Sequence, residues 1–221
     1  FYMVWNPAYV ILIILSTLID YFAAIAMGKS SSKPKRKKYL LCSLFCNLGL
    51  LFTFKYFNFF AATLNSISFY LPFTYSISKL NVLLPVGISF YTFQTLSYTI
   101  DVYRGEKQPE KHLGIFALYV SFFPQLVAGP IERSTRLLPQ FYLKHKFDYR
   151  RITDGMKLML WGFFKKIVIA DRLAVLVNYA YQDPGNCSGS LLILATVFFA
   201  FQIYCDFSGY SDIAIGAAQI M

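Results

Sequence analysis

Apolar residues run through the chain in blocks about as long as a bilayer is thick, and the polar residues gather between them. A helix that crosses the hydrocarbon core needs about 20 predominantly apolar residues. Two blocks meet that length outright, Tyr9 to Met27 and Tyr39 to Leu64. A third runs from Val82 to Ile100, and its opening LLPVGISF places Pro85 and Gly87 where a helix begins or bends. The next, Leu113 to Pro130, is short and interrupted by Pro124 and Gly129. A long helical pattern from Asp154 to Tyr181 carries Lys165, Lys166, Asp171 and Arg172 in its middle, so it is either two helices meeting at an interface or one whose charges face the bundle interior. A last apolar segment runs from about Ser190 to Met221. There is no fixed-period repeat. The pattern predicts an all-α fold, a polytopic transmembrane helical bundle making one membrane domain over residues 1–221. Opening without Met and stopping in mid-pattern, it is expected to be an excerpt of a longer chain, incomplete at both ends.

Charge orients the blocks. Between the first two lies GKSSSKPKRKK, a connection with Lys29, Lys33, Lys35, Arg36, Lys37 and Lys38 and no acid, which the positive-inside rule places in the cytoplasm. The following connection, NSISFYLPFTYSISKLN, has one Lys and faces outward; the third span then returns at DVYRGEKQPEKH. Simple alternation fails next, because IERSTRLLPQFYLKHKFDYRR is again basic, with Arg133, Arg136, Lys144, Lys146, Arg150 and Arg151 against Glu132 and Asp148. With both flanks cytoplasmic, Leu113 to Pro130 is expected to dip in and return. Irregular backbone at membrane depth is tolerated only where it is buried in protein or lines a wet cavity. Gln125, Glu132 and Arg133 are the polar groups of such a re-entrant mouth.

Composition narrows the class. The 221 residues are 57% hydrophobic and 14% charged, where a soluble domain carries about 25% charged residues. The net charge of +10 sits mainly in the connections, as a cytoplasmic face touching anionic lipid requires, and nothing points to nucleic acid. The four Cys form no paired motif, and with only His112 and His145 no metal site is expected. Both His lie in polar, basic connections and are expected to be solvated. Lys165 and Lys166 are expected to snorkel to the cytoplasmic interface, and Asp171 to be held by Arg172 or another basic neighbour.

The candidate chemistry lies in two polar seams. In QIYCDFSGYSDIAIG a helical turn of about 100° per residue puts Gln202, Asp206 and Tyr210 on one face, with Ser208, Gly209, Asp212 and Gly216 on the adjoining one. Carboxylates at membrane depth cost about 2.5–3.5 kcal/mol each on insertion scales, so they have a task or a partner. Small residues beside them let another helix approach closely. In the third span Tyr91, Gln94, Tyr98 and Asp101 share a side, with Thr95 next to them. Two such seams could enclose a polar tunnel, or could simply hydrogen-bond to hold the bundle. A transporter or channel subunit, or a non-catalytic membrane scaffold, would show the same features.

Four blocks, LPVGISFYTFQTLSYTIDVYRG, FFPQLVAGPIER, GFFKKIVIADRLA and QIYCDFSGYSDIAIG, in that order, resemble the membrane-bound O-acyltransferase family. They are most similar to its bacterial branch that acetylates alginate and related polysaccharides, close to the branch that D-alanylates teichoic acids. The resemblance implies a multi-pass enzyme of the bacterial inner membrane. It would move an acyl group from a cytoplasmic thioester, acyl-CoA or an acyl-carrier protein, to hydroxyls of an exported polysaccharide, with no tightly bound cofactor and with an extracytoplasmic transferase as partner. The family's catalytic His lies in an Arg-Trp-His block after the DFSGYSDIAIG block, so none is expected within these residues. Gln94, Tyr98, Asp101, Gln202, Asp206, Tyr210 and Asp212 then become tunnel-lining or base-orienting candidates, since a buried carboxylate can orient an imidazole base. Arg136, Lys144, Lys146, Arg150 and Arg151 become the docking surface for the donor or its carrier.

Overall fold

The computed structural model describes residues 7–68, 76–126, 132–144 and 146–221, and every regular element among them is helical. A 3-10 turn, Pro7–Tyr9, leads into α1 (Val10–Lys29), which ends as Ser30 turns extended and its N–H donates to Met27 O at 3.2 Å. Helix α2 (Lys33–Leu51) begins almost at once with Pro34 in its first turn, where the missing N–H is no loss. The basic run expected as a connection is therefore the first turns of α2, and only Ser30 to Ser32 lie between the helices. Lys and Arg are good helix formers, so nothing in that run opposes it. Through a π-helical stretch, Phe52–Tyr56, α2 continues into α3 (Phe57–Ser68).

Helix α4 (Ile88–Arg104) starts later and ends later than the third apolar block. Val82 to Gly87 are not helical, because Gly87 takes the left-handed conformation (φ 73°) directly before Ile88. Gly105 does the same at the far end (φ 83°), donating to Val102 O while Glu106 N–H reaches Asp101 O at 3.0 Å, a glycine-terminated helix end. Leu113 to Pro130 is broken as expected, into α5 (Leu113–Val120) and α6 (Phe123–Leu126), each far too short to cross a bilayer. Its Gly129 and Pro130 fall outside the described residues. Helix α7 (Ser134–Gln140) follows.

These seven helices form one compact unit and the residues from Lys144 onward a second. The core of the first is aromatic: Tyr91 and Tyr98 of α4 and Phe116 and Tyr119 of α5 are buried with Ala24 and Met27 of α1 and Leu138 of α7. In the second unit α8 (Tyr149–Phe163) is capped by Asp148, whose carboxylate accepts from Arg150 N and Arg151 N. It runs through a π-helical stretch, Phe164–Ala170, into α9 (Asp171–Gln182). Asp154 to Tyr181 is thus one continuous helix with an insertion at its charged middle. After a 3-10 turn, Pro184–Asn186, α10 (Gly189–Ile220) passes Gly209 without a break. It packs antiparallel on α8 at two glycine pairs, Gly155 against Gly216 and Gly162 against Gly209.

Among the described residues three helical stretches, Val10–Lys29, Lys33–Ile67 and Gly189–Ile220, are long and apolar enough to cross a membrane. Large apolar side chains such as Phe45, Leu160 and Ile193 stand fully outward on the helices, the arrangement lipid rather than water permits. The architecture is that of an all-α membrane protein.

Candidate functional site

The carboxylates of α10 face lysines. Lys165 Nζ lies 2.5 Å from Asp212 Oδ2 and donates to Ser208 Oγ at 2.5 Å. Lys166 Nζ lies 2.7 Å from Asp206 Oδ1 and 3.1 Å from Asp171 Oδ1. Lys165 is buried against α10 and is not the snorkelling group expected; Lys166, partly exposed, also reaches α10, and Asp171 is held by this basic neighbour, as expected. The cause is local. In the π stretch each turn holds more residues, so successive side chains diverge by less than the about 100° of an α-helix, and two adjacent lysines can address one neighbour. Close approach at Gly162 and Gly209 brings them within reach.

Of the other residues on α10, Tyr210 is half-buried, and Gln202 buries its side-chain oxygen without a hydrogen-bond partner among the described residues. One turn of helix before Asp206, that oxygen continues the same polar face.

The seam of α4 lies in the first unit and is tied to its neighbours. Gln94 Nε2 donates to Tyr119 O at 2.8 Å, and Tyr119 OH donates back to Gln94 O at 3.4 Å and to Glu132 O at 3.3 Å. Tyr98 OH accepts from Glu110 N at 2.8 Å while its ring lies 4.6 Å from that of Phe116. Asp101 Oδ2 accepts from Ser134 Oγ at 3.4 Å, and Lys107 Nζ donates to Ser134 O at 2.6 Å. Burial lowers the Lys107 ammonium below the ordinary lysine range, against the pull of Glu110 and Asp101. These contacts hold α5 and α7 on α4.

Sequence reasoning passed over a third polar group in the first unit. Asp20 of α1 is fully buried, and its carboxylate accepts from Ser43 Oγ, from Asn47 Nδ2 at 3.0 Å to each oxygen, and from Thr99 Oγ1 at 3.2 Å. Asn47 Oδ1 in turn accepts from Ser16 Oγ at 2.6 Å. The signal was present: Asp20 is an acid in mid-span, and Ser43 and Asn47 stand four apart in the next block.

Glu132, Arg133, Thr135 and Arg136 line an open cavity of about 650 Å³ in the first unit. The side chain of Gln125, on α6, and the whole of His145 lie outside the described residues. Lys144, Lys146 and Arg150 are exposed in the second unit, and Arg151 donates to Lys146 O at 3.3 Å. His112 is exposed, as expected, and its Nδ1 accepts from Ile115 N at 3.2 Å as the cap of α5.

No protein-family model matches the chain. Curated proteins do. Over its whole length it is 38% identical to a protein of Pseudomonas putida named "Probable alginate O-acetylase", covering 45% of that protein. Over 98% of its length it is 33% identical to the peptidoglycan O-acetyltransferase of Helicobacter pylori, again covering 45%. Over its whole length the chain is similar to members of the membrane-bound O-acyltransferase family. A more distant match, 27% identical over 62% of the chain and 34% of the relative, is the teichoic acid D-alanyltransferase of Streptococcus thermophilus. The chain thus spans less than half the length of the curated relatives it matches.

Proposed function

We propose that the chain is part of a multi-pass O-acyltransferase of the bacterial inner membrane, which moves an acetyl group from a cytoplasmic thioester donor to hydroxyls of an exported polysaccharide such as alginate. The observation that carries this reading is similarity along the whole chain to proteins named for O-acetylation of alginate and of peptidoglycan. Those two names differ in acceptor and agree in reaction, so acetyl transfer to a glycan hydroxyl is the firmer half of the proposal. The donor is acyl-CoA or an acylated carrier protein, and an extracytoplasmic transferase takes part in delivery.

Transfer to a hydroxyl needs a base to remove its proton and donors to stabilise the oxyanion. His112 is engaged as a helix cap, so the base is expected to be a His supplied by another part of the protein. Asp206 and Asp212 support a base-orienting role, because each has one oxygen paired to lysine and a second that makes no hydrogen bond among the described residues. Gln202 and Tyr210 continue their face, and Gln94, Tyr98 and Asp101 serve as polar lining in the first unit. Arg133 and Arg136 at their open cavity in the first unit supply charge to draw in an anionic donor, and Lys144, Lys146, Arg150 and Arg151 supply the same charge in the second.

The test is acetyl transfer by the full-length protein in lipid nanodiscs, from labelled acetyl-CoA or acetylated carrier to oligosaccharide. Asp206→Asn and Asp212→Asn are expected to lower turnover by about 10²-fold, within the range general-base assistance is worth. Donor affinity is expected to fall steeply between low and physiological salt. Unchanged turnover in both variants removes the base-orienting role, and salt-independent donor binding removes the docking role of the basic residues.

A further inference from the structure

Lys165 is the one lysine among the described residues whose side chain is buried, with 9% of the residue exposed. A cation so placed persists only when paired and hydrogen-bonded. Its ammonium meets both needs on one helix, bonding Asp212 Oδ2 and Ser208 Oγ at 2.5 Å each. Gly209 lies between those partners, and a Cβ there would stand 3.3 Å from Lys165 Cβ, so its bare backbone lets the lysine lie flat across α10. Lys166 pairs with Asp206 in a similar way but is 41% exposed and shared with Asp171, and so fixes its partner less.

One ammonium therefore determines the direction of a carboxylate. Asp212 Oδ2 is occupied, and Oδ1 is the oxygen left to meet an incoming group. Ser208, by accepting from the same nitrogen, fixes the ammonium from the other side. We propose that Lys165 is a positioning residue for acyl transfer, holding Asp212 aimed so that its second oxygen orients the base, with Ser208 aligning the lysine. The proposal rests on the acyltransferase reading above. It assigns a task to a residue that the same geometry could otherwise explain as a counter-ion alone.

The two explanations separate when the charges are removed together. In the full-length protein in nanodiscs, the thermal midpoint of helix unfolding and the kcat and KM of acetyl transfer are measured for Lys165→Met, Asp212→Asn, the double variant and Ser208→Ala. Lys165→Met alone strands a carboxylate and is expected to lower both the midpoint and kcat. The double variant removes both charges, and its midpoint is expected to return close to wild type. Its kcat is expected to stay down by about 10²-fold or more, with the donor KM within a few-fold of wild type. Ser208→Ala, which leaves the ion pair and the packing in place, guards against a double variant that fails to fold. It is expected to lower kcat about tenfold, a loss of the size one hydrogen bond supplies, with the midpoint unmoved. A double variant as active as wild type, or a Ser208→Ala variant with unchanged kcat, overturns the proposal and leaves the acyltransferase reading standing. A wild-type protein that transfers nothing removes that reading and the proposal with it.

Discussion

Asp20 sits in the middle of an otherwise apolar helix and is reached by side chains of two others, Ser43 and Asn47 from α2 and Thr99 from α4. Each of those donors is buried; removing the acceptor leaves Ser43 Oγ without a partner among the described residues, at a cost of about 1–3 kcal/mol, and leaves Asn47 and Thr99 only the backbone oxygens of Ser43 and Thr95. Asp20→Ala is therefore expected to lower the thermal midpoint of the full-length protein in detergent by many degrees, and more than any substitution of an exposed residue on α1. An unmoved midpoint would show that the carboxylate does not join the three helices. Only half of such a site is legible in sequence. Asp20, Asp206 and Asp212 announce themselves as acids within apolar blocks, but their partners lie 23 or more residues away, at distances no local pattern encodes. Lys165 was misread because snorkelling is the ordinary fate of a lysine near a membrane, and the π insertion that turns it inward has no recognisable residue signature.

Pairs of helices show the same division between pattern and partner. The small face of α10, with Gly209 and Gly216, foretells a close neighbour, and the structure supplies α8, whose Gly155 and Gly162 stand at the same seven-residue spacing. A Cβ on Gly162 would lie 2.6 Å from Gly209 O, a backbone atom that moves only if the helices separate. Gly162→Ala gains up to about 1 kcal/mol of helix propensity but forces that separation, at about 1–3 kcal/mol for overpacking. Its net effect is expected to be destabilising. Gly49→Ala on α2 has nothing within 4 Å of the added methyl, so it is expected to be neutral or slightly stabilising. Comparing the two thermal midpoints checks the pairing directly, and equal midpoints would contradict the tight crossing. Boundaries were less legible than packing faces. The start of α4 moved to Ile88 because the left-handed Gly87 cannot continue a helix, a backbone fact that hydropathy does not register.

Across the molecule, helix length decides how often the chain can change sides. The stretch Lys33–Ile67 is 35 residues, roughly 50 Å at 1.5 Å per residue, well beyond the about 30 Å hydrocarbon core. It can carry the chain from the basic first turns of α2 to the opposite face. On the expected topology the stretch through α4 returns it toward Arg104, and α5 and α6, of 8 and 4 residues, are each too short to cross again. Cys at Lys35, Ser66 and Thr135, all exposed positions, tests this order in a full-length background whose native cysteines are replaced by serine. Ser134 is unsuited as a probe because it is fully buried. Lys35→Cys and Thr135→Cys are expected to react with an impermeant maleimide in inverted vesicles and to be protected in spheroplasts, with Ser66→Cys showing the reverse. Labelling of Thr135→Cys together with Ser66→Cys would mean that the chain crosses between α4 and α7. The re-entrant mouth would then be lost, and the basic residues from Arg133 to Arg151 would face away from any cytoplasmic donor. Labelling of Thr135→Cys together with Lys35→Cys keeps Arg133 and Arg136 on the side where a thioester donor is made, as the proposed direction of transfer requires.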